Sequence, residues 1–219
     1  MKLDLEQYYP VKPGDVRIFW NAVSDRFLDA GRSLSIKKDD SMILYAGRLD
    51  YRKGLLDLVE SMKIVTKKIP DARLVVIGKG PMLSRLVERV AALKIQQYVE
   101  VKGFVSREAL LAEYLRASVF VIPSYYEGLA TTCLEAMACR DAVVATDVRG
   151  NSDVVRPGKT GLLVPKKEPC ALANAIEYLL ENPDLRERLA NNARELVEEN
   201  FTWKKVTDRV LEAYLTATR

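Results

Sequence analysis

From Met42 onward, short apolar runs alternate with longer stretches of helical spacing, and no other feature of this chain restricts its fold so tightly. Met42-Ile-Leu-Tyr-Ala46 stops at Gly47, and Arg52 to Ile69 then carries Leu55, Leu58, Val59, Met62, Val65 and Ile69 at helix period until Pro70 and Asp71 end it. Arg73-Leu-Val-Val-Ile77 is the next strand, running into Gly78-Lys-Gly80 and a helix from Met82 to Leu93. Tyr98-Val-Glu-Val101 leads to Gly103 and a helix from Ser106 to Ala117. Val119-Phe-Val-Ile122, closed by Pro123 and Ser124, leads through Tyr125 to Ala130 into the helix formers Leu134-Glu-Ala-Met-Ala138. Ala142-Val-Val-Ala145 and Gly161-Leu-Leu-Val164 complete six strands, with Asp147 to Val155 between them as a loop with a short helix.

Three helices close the chain, near Pro169 to Leu180, from Asn182-Pro183, and from Thr202 with Val206, Val210, Leu211 and Tyr214 on one side. Before Met42 the pattern is weak. Arg17-Ile-Phe-Trp20 reads as a short strand, Asn21 to Ser24 as a turn and Gly31 to Ser41 as a polar connector, with no core of their own. Strands apolar along their whole length need cover on both faces. With right-handed crossovers the expectation is an α/β, Rossmann-like, doubly wound parallel six-stranded sheet with helices on both faces and a C-terminal helical extension. Ligands then sit beyond the carboxyl ends of the strands.

Composition narrows the chemistry. At 219 residues, with 48% hydrophobic and 29% charged side chains, the chain has the make-up of a soluble globular protein. A net charge of +4 suits a phosphorylated ligand or an anionic membrane surface, demands neither, and does not call for nucleic acid. The absence of histidine removes the usual general base, the Ser-His and Cys-His nucleophile systems and most zinc sites. Cys133, Cys139 and Cys170 form no C-x-x-C pair, and the first two read as small buried hydrophobes of one helix. With no signal-peptide pattern and no apolar run of membrane-spanning length, a cytoplasmic location is the default expectation.

The strand ends carry the candidates. After the first come Gly47, Arg48, Asp50, Arg52, Lys53 and Gly54; after the second, Gly78, Lys79 and Gly80; after the third, Gly103, Phe104 and Val105. After the fourth come Tyr125, Tyr126, Glu127 and Gly128, and after the fifth Thr146, Asp147, Arg149 and Gly150. Arg48 and Lys53, with the helix N-terminus that Gly128 to Thr132 introduces, make an anion site; surface solvation or pairing with Asp50 or Asp57 would account for either cation alone. Glu135 stands three residues after Thr132, so T-C-L-E reads as a capping box. Glu127 precedes the helix and has no such local duty. Were the stretch all helix, the two glutamates would be about 12 Å apart along its axis. That is too far for a carboxylate dyad on one bond, but it suits a ligand with hydroxyls at both ends and negative charge between. A nucleoside diphosphate sugar has that layout. Gly78-Lys-Gly80 lacks the third glycine of a dinucleotide fingerprint, no G-x-x-x-x-G-K-[ST] is present, and no D-x-D offers carboxylates to a magnesium ion.

These residues bring a family into view. Asn21 to Phe27 (N-A-V-S-D-R-F), Ala46 to Gly54 (A-G-R-L-D-Y-R-K-G), Val76 to Pro81 (V-I-G-K-G-P), Val101 to Val105 (V-K-G-F-V), the Glu127 to Glu135 segment, Ala142 to Gly150 and Gly158 to Pro165 stand in its order and spacing. The chain resembles the C-terminal, donor-binding half of a GT-B glycosyltransferase, most like the retaining family 4, the glycosyl transferases group 1. The resemblance implies a division into residues 1–20, a remnant of the N-terminal domain and connector, and residues 21–219, the donor domain. It implies that Arg48 and Lys53 neutralise the donor diphosphate and that Glu127 meets the donor sugar, these three being the catalytic candidates. The backbone of Gly128, Leu129, Ala130, Thr131 and Thr132 would bind phosphate and sugar oxygens, and Glu135 the ribose. Gly47, Gly78, Gly80, Phe104 and Val105 would line the nucleotide pocket.

The donor would be a UDP-, GDP- or ADP-sugar, with no metal and no other cofactor. The acceptor, a glycan or lipid, would come through the N-terminal domain, and peripheral membrane contact is compatible with the full enzyme. By itself the chain would bind donor weakly and transfer nothing. A nucleotide-sugar epimerase half and a non-catalytic nucleotide-sugar-binding module are the alternatives. The family pattern is departed from at three places: Arg140-Asp141 replaces a glycine- and proline-like turn, Ala130 stands where glycine is frequent, and Asp153 where glutamate is more usual.

Overall fold

A computed structural model describes residues 16–32 and 37–217. Most of the expected N-terminal remnant lies outside the described residues. The six strands are β1 (Met42–Ala46), β2 (Arg73–Ile77), β3 (Val99–Gly103), β4 (Val119–Ile122), β5 (Ala142–Thr146) and β6 (Leu162–Val164). They form one parallel sheet in the order β3-β2-β1-β4-β5-β6. The helices are α1 (Asp25–Arg32), α2 (Leu55–Lys68), α3 (Leu83–Ala92), α4 (Arg107–Arg116), α5 (Thr131–Ala138), α6 (Pro169–Glu181), α7 (Pro183–Asn200) and α8 (Trp203–Ala217).

Alternation along each strand divides the core into two layers. Met42, Leu44, Ala46, Phe120, Ile122, Val143 and Ala145 face α1, α4, α5 and part of α7. Ile43, Tyr45, Leu74, Val76, Val119, Val121, Ala142 and Val144 face α2, α3 and α6. Strands β1, β4 and β5 are buried at every position, as their unbroken apolar runs require.

The differences from expectation are local. The helix read from Arg52 is broken: Tyr51–Lys53 is a short 3-10 turn, Gly54 is left-handed (φ 63°), and α2 starts after it. The Asp50 side chain holds the turn by accepting from the Arg52 N–H at 2.9 Å. A Cβ on Gly54 would lie 1.9 Å from the Pro123 carbonyl oxygen, so this position packs directly against the end of β4. Strand β3 runs to Gly103, and Tyr98 belongs to a 3-10 turn before it. Residues 17–20 form no strand, Val23 pairs with Thr202 instead of turning, and the loop after β5 contains turns only. Residues before Met42 do join the core, since α1 buries Leu28 and Val23 is buried beside it. A polar helix of this length carries too few apolar positions for periodicity to register.

Buried charges tie the layers together. Arg194 of α7 donates through Nη1 to the Ala138 carbonyl, satisfying the open end of α5, and through Nη2 to the Leu28 carbonyl at 2.8 Å, tying that end to the body of α1. Asp141 is fully buried and accepts from Lys38 Nζ at 2.5 Å. Burial pushes its carboxyl up to about 7, with Lys38 pulling the other way. Burial also raises Asp57 and Glu135. An acid whose folded pKa is raised holds its proton more tightly in the folded state, so its contribution is greatest below the unfolded value and is lost as pH rises through the folded one. The window for Asp141 runs from 3.8 to about 7. Thermal denaturation should therefore give a Tm roughly 4–8 °C lower at pH 8 than at pH 5, for a contribution of about 2 kcal/mol. Asp141→Asn should flatten that dependence.

Candidate functional site

Strand order reverses direction between β1 and β4, which leaves a crevice at their carboxyl ends. The loops after β1, β2, β3 and β4 converge there. A cavity of about 610 Å³ is lined by Ala46, Gly47, Arg48, Ile77, Gly78, Lys79, Gly80, Phe104, Val105, Leu110 and Thr132. A second, of about 200 Å³, shares Ala46, Gly47, Arg48 and Thr132 and adds Tyr45, Lys53, Ser124, Glu127, Leu129, Ala130 and Thr131 among others. The first is mainly apolar and the second carries Lys53 and Glu127, so the crevice has a large, mostly apolar end and a small charged one. Close backbone contact shapes the floor: Gly47 N–H donates to the Ile77 carbonyl at 3.0 Å and Gly78 N–H to that of Gly103 at 2.8 Å.

The charged end centres on Glu127. Its side chain is 8% exposed, and Oε1 accepts from Lys53 Nζ at 2.5 Å and from Ser124 Oγ at 2.7 Å. Lys53 reaches it because the 3-10 turn and Gly54 dock on the end of β4, with Tyr125 N–H donating to the Arg52 carbonyl at 2.7 Å. Behind it, Thr146 Oγ1 donates to the Ser124 carbonyl, and Asn151 Nδ2 donates to Thr146. Glu127 thus has two local partners where the sequence suggested none, and Lys53 pairs with Glu127 rather than with Asp50 or Asp57. Arg48 lies on the lining of both cavities, with its Nε 3.5 Å from Asp50 and its side chain 69% exposed. Tyr45 donates from its hydroxyl to the Arg48 carbonyl at 2.9 Å. Burial, and then the charges of Glu127 and Asp50, drive its phenol well above its ordinary value, so it remains a neutral donor.

Helix α5 begins at the same crevice. Ala130 is its N-cap and supplies no side-chain cap, so the N–H groups of the first turn have no side chain of their own helix to bind. Thr131 and Thr132 occupy the first two helical positions, which overturns the capping box: Glu135 lies too deep in the helix to reach back. Its Oε2 accepts instead from the buried Tyr114 hydroxyl at 3.0 Å. Burial raises the Glu135 carboxyl, against the lowering effect of Tyr114 and then Arg107.

Of the sequence candidates, Gly47, Arg48, Gly78, Gly80, Phe104, Val105 and Thr132 line the larger cavity, and Lys53, Glu127, Leu129, Ala130 and Thr131 the smaller. Gly128 and Glu135 line neither. Sequence reasoning assigned no role to Tyr45, Ser124 or Leu110, and gave Lys79 no more than its place in the turn after the second strand. Lys79 stood visibly in the Gly-Lys-Gly turn; its Nζ lies 5.1 Å from the centroid of the Phe104 ring, which is 76% exposed at the mouth. Tyr45 and Leu110 looked like core residues of a strand and a helix, and nothing local distinguished them. Among the described residues no group of three or more His, Cys, Asp or Glu side chains converges as a metal site, and no helix is long and apolar enough to cross a membrane.

Comparison with known proteins agrees with this geometry. An uncharacterized glycosyltransferase of Methanocaldococcus jannaschii is 31% identical over 203 residues, covering 93% of this chain and 51% of that protein. Sucrose-phosphate synthase from Thermosynechococcus elongatus has a solved structure that matches with a TM-score of 0.81 and 32% identity, over 100% of this chain and 57% of that one. Anabaena HepE, solved in complex with UDP-glucose, matches with a TM-score of 0.78 over 91% of this chain and 57% of that one; at 19% identity the likeness is one of fold. The chain spans about half the length of the curated relatives it matches. Residues 29–196 match the family described as glycosyl transferases group 1. With that match covering most of the chain, the protein belongs to the glycosyl transferases group 1 family.

Proposed function

We propose that this chain is the donor-binding half of a retaining, metal-independent glycosyltransferase and holds a nucleoside diphosphate sugar across the crevice. The observation that carries the reading is the Lys53–Glu127 pair at 2.5 Å, set at the topological switch point between a mainly apolar cavity and the uncapped start of α5. The apolar end suits a base and ribose. The diphosphate lies over the first turn of α5, where free N–H groups and the helix dipole favour an anion, with Arg48 and Lys53 alongside. Its sugar then reaches Glu127, whose carboxylate accepts from a hydroxyl. As the bond from the sugar to the diphosphate breaks, negative charge grows on the leaving oxygen, and Lys53 and Arg48 are placed to stabilise it. UDP-glucose in the related fold of HepE supports a donor of this class. The acceptor glycan or lipid is expected on a second domain, so donor binding is the part of the transfer that these residues carry.

A thermal-shift panel of UDP, GDP, ADP and their glucose conjugates tests the reading. A bound nucleotide at a hundred times its Kd adds about 2.7 kcal/mol, a rise in Tm of roughly 5–11 °C. No shift with any of them would overturn the proposal. The Glu127→Gln variant sharpens it. Releasing Lys53 from its carboxylate should leave affinity for the bare nucleoside diphosphate equal or higher, while the increment from the sugar falls by about 1.5 kcal/mol or more, tenfold in Kd. Donor affinity unchanged in both arms would favour a nucleotide-binding module in which Glu127 has no part.

A further inference from the structure

The Arg140-Asp141 departure from the family pattern lies at the opposite end of the sheet and is not used by the donor crevice. Arg140 follows α5 in the left-handed conformation (φ 61°), a position that glycine occupies without strain. Its side chain lines a cavity of about 340 Å³ together with Lys38, Asp40, Ser118, Pro183, Arg186 and others. Asp40, Ser118 and Arg140 stand just before β1, β4 and β5, so the cavity opens at the amino-terminal edge of the sheet. A five-residue strand separates it from the donor crevice, roughly 16 Å at the usual rise.

The charges there are unequally committed. Lys38 is bound by Asp141 and by the carbonyls of Tyr114 and Ala117. Arg186 is bound by Asp40 and by the Leu179 carbonyl. Glu187 is exposed at the rim. Arg140 has no ion pair with any described carboxylate, and its Nε is buried without a hydrogen-bond partner. Ser118, 1% exposed, also has a buried Oγ with no partner. Buried donors without partners are costly, and a ligand oxygen would satisfy both. Helix α7 begins on the same wall at Pro183 with no side-chain cap.

We propose that this cavity is a second ligand site, distinct from the donor crevice, for a small phosphorylated sugar or polyol. The planar guanidinium of Arg140, the Ser118 hydroxyl and the first turn of α7 take the phosphate. Asn191 and Glu187, also on the lining, take hydroxyls of the organic part. The volume exceeds what inorganic phosphate needs, which is why the ligand carries a body.

The test uses the 219-residue chain labelled with nitrogen-15 arginine, with UDP added so that the donor crevice is filled. Glucose 6-phosphate, inorganic phosphate and glucose are titrated separately while the Arg140 Nε–H resonance is followed. The expected result is a saturable shift with glucose 6-phosphate, a weaker affinity for inorganic phosphate and none for glucose. Arg140→Gly should weaken glucose 6-phosphate binding at least tenfold while Tm stays equal or rises, because glycine relaxes the left-handed position. Ser118→Ala should weaken it as well. An Arg140 resonance that no probe moves, or undiminished binding by Arg140→Gly, would overturn the site. Equal affinity for inorganic phosphate would overturn the sugar or polyol part, and equal affinity for glucose the phosphate part. Binding of UDP in the same samples reports separately on the donor reading.

Discussion

Replacing Lys53 with alanine should cost this protein stability and donor affinity together, and the two losses should be separable. Glu127 is 8% exposed, and among the described residues its Oε1 has Lys53 and Ser124 as its partners. Without the ammonium, a nearly buried carboxylate is left with one hydroxyl. Breaking a fully buried pair costs about 3–5 kcal/mol. The Lys53 side chain is 25% exposed, so part of that is screened. A loss of about 2–3 kcal/mol and a fall in Tm of roughly 4–12 °C is expected. The Lys53→Ala, Glu127→Gln double variant should recover most of the stability, since no unpaired charge remains. It should not recover the nucleoside diphosphate, which loses a charge-assisted contact worth about 1.5–3 kcal/mol, or ten- to a hundredfold in Kd. Thermal denaturation and calorimetric titration of Lys53→Ala, Glu127→Gln and the double variant would measure both. Should the double variant be no more stable than Lys53→Ala, the pair is not what holds this turn.

The second large effect belongs to Gly78. Its φ is 145°, and a Cβ there would lie 1.8 Å from the Gly47 carbonyl oxygen and 2.9 Å from its carbon. Both are backbone atoms of the neighbouring turn, so no rotamer can relieve the clash. Gly78→Ala must therefore separate the loops after β1 and β2, which together floor the larger cavity. We expect a loss above about 3 kcal/mol, a fall in Tm of roughly 6–12 °C or more, and loss of nucleotide binding in whatever still folds. Gly103→Ala is the control. Its φ is 67°, but nothing lies within 4 Å of the added carbon, so only conformational strain of about 1 kcal/mol is expected. Equal Tm values for the two variants would show that the close approach of the two turns contributes nothing.

The elements were legible because their signals are local. Four or five consecutive, mainly apolar residues closed by glycine, proline or polar residues mark a strand buried on both faces, and β1, β2, β4 and β5 lie within a residue or two of the runs that foretold them. Proline at position 183 marked the start of α7 for the same reason. Misplacements arose where a long-range contact overrides a local pattern. The helical spacing from Arg52 continues through Gly54, yet the backbone breaks there because the turn must fit against the Pro123 carbonyl. T-C-L-E has the spacing of a capping box, but the helix starts one residue before Thr132, and a buried tyrosine from α4 claims Glu135.

What the sequence by itself determined was the layered α/β architecture, the glycine turns and the cluster of candidates at the strand ends. Each depends on the character of neighbouring residues along the chain. Only the tertiary structure decided which candidates meet. Lys53 and Glu127 are 74 positions apart and touch because β1 and β4 are adjacent in the sheet, an adjacency set by crossovers rather than by residue character. The same holds for Lys38 with Asp141 and for Arg194 with Ala138, whose charges are held in the interior by partners from distant elements. A charge can be buried only where a partner is present, and periodicity along the chain carries no information about a partner on another strand or helix.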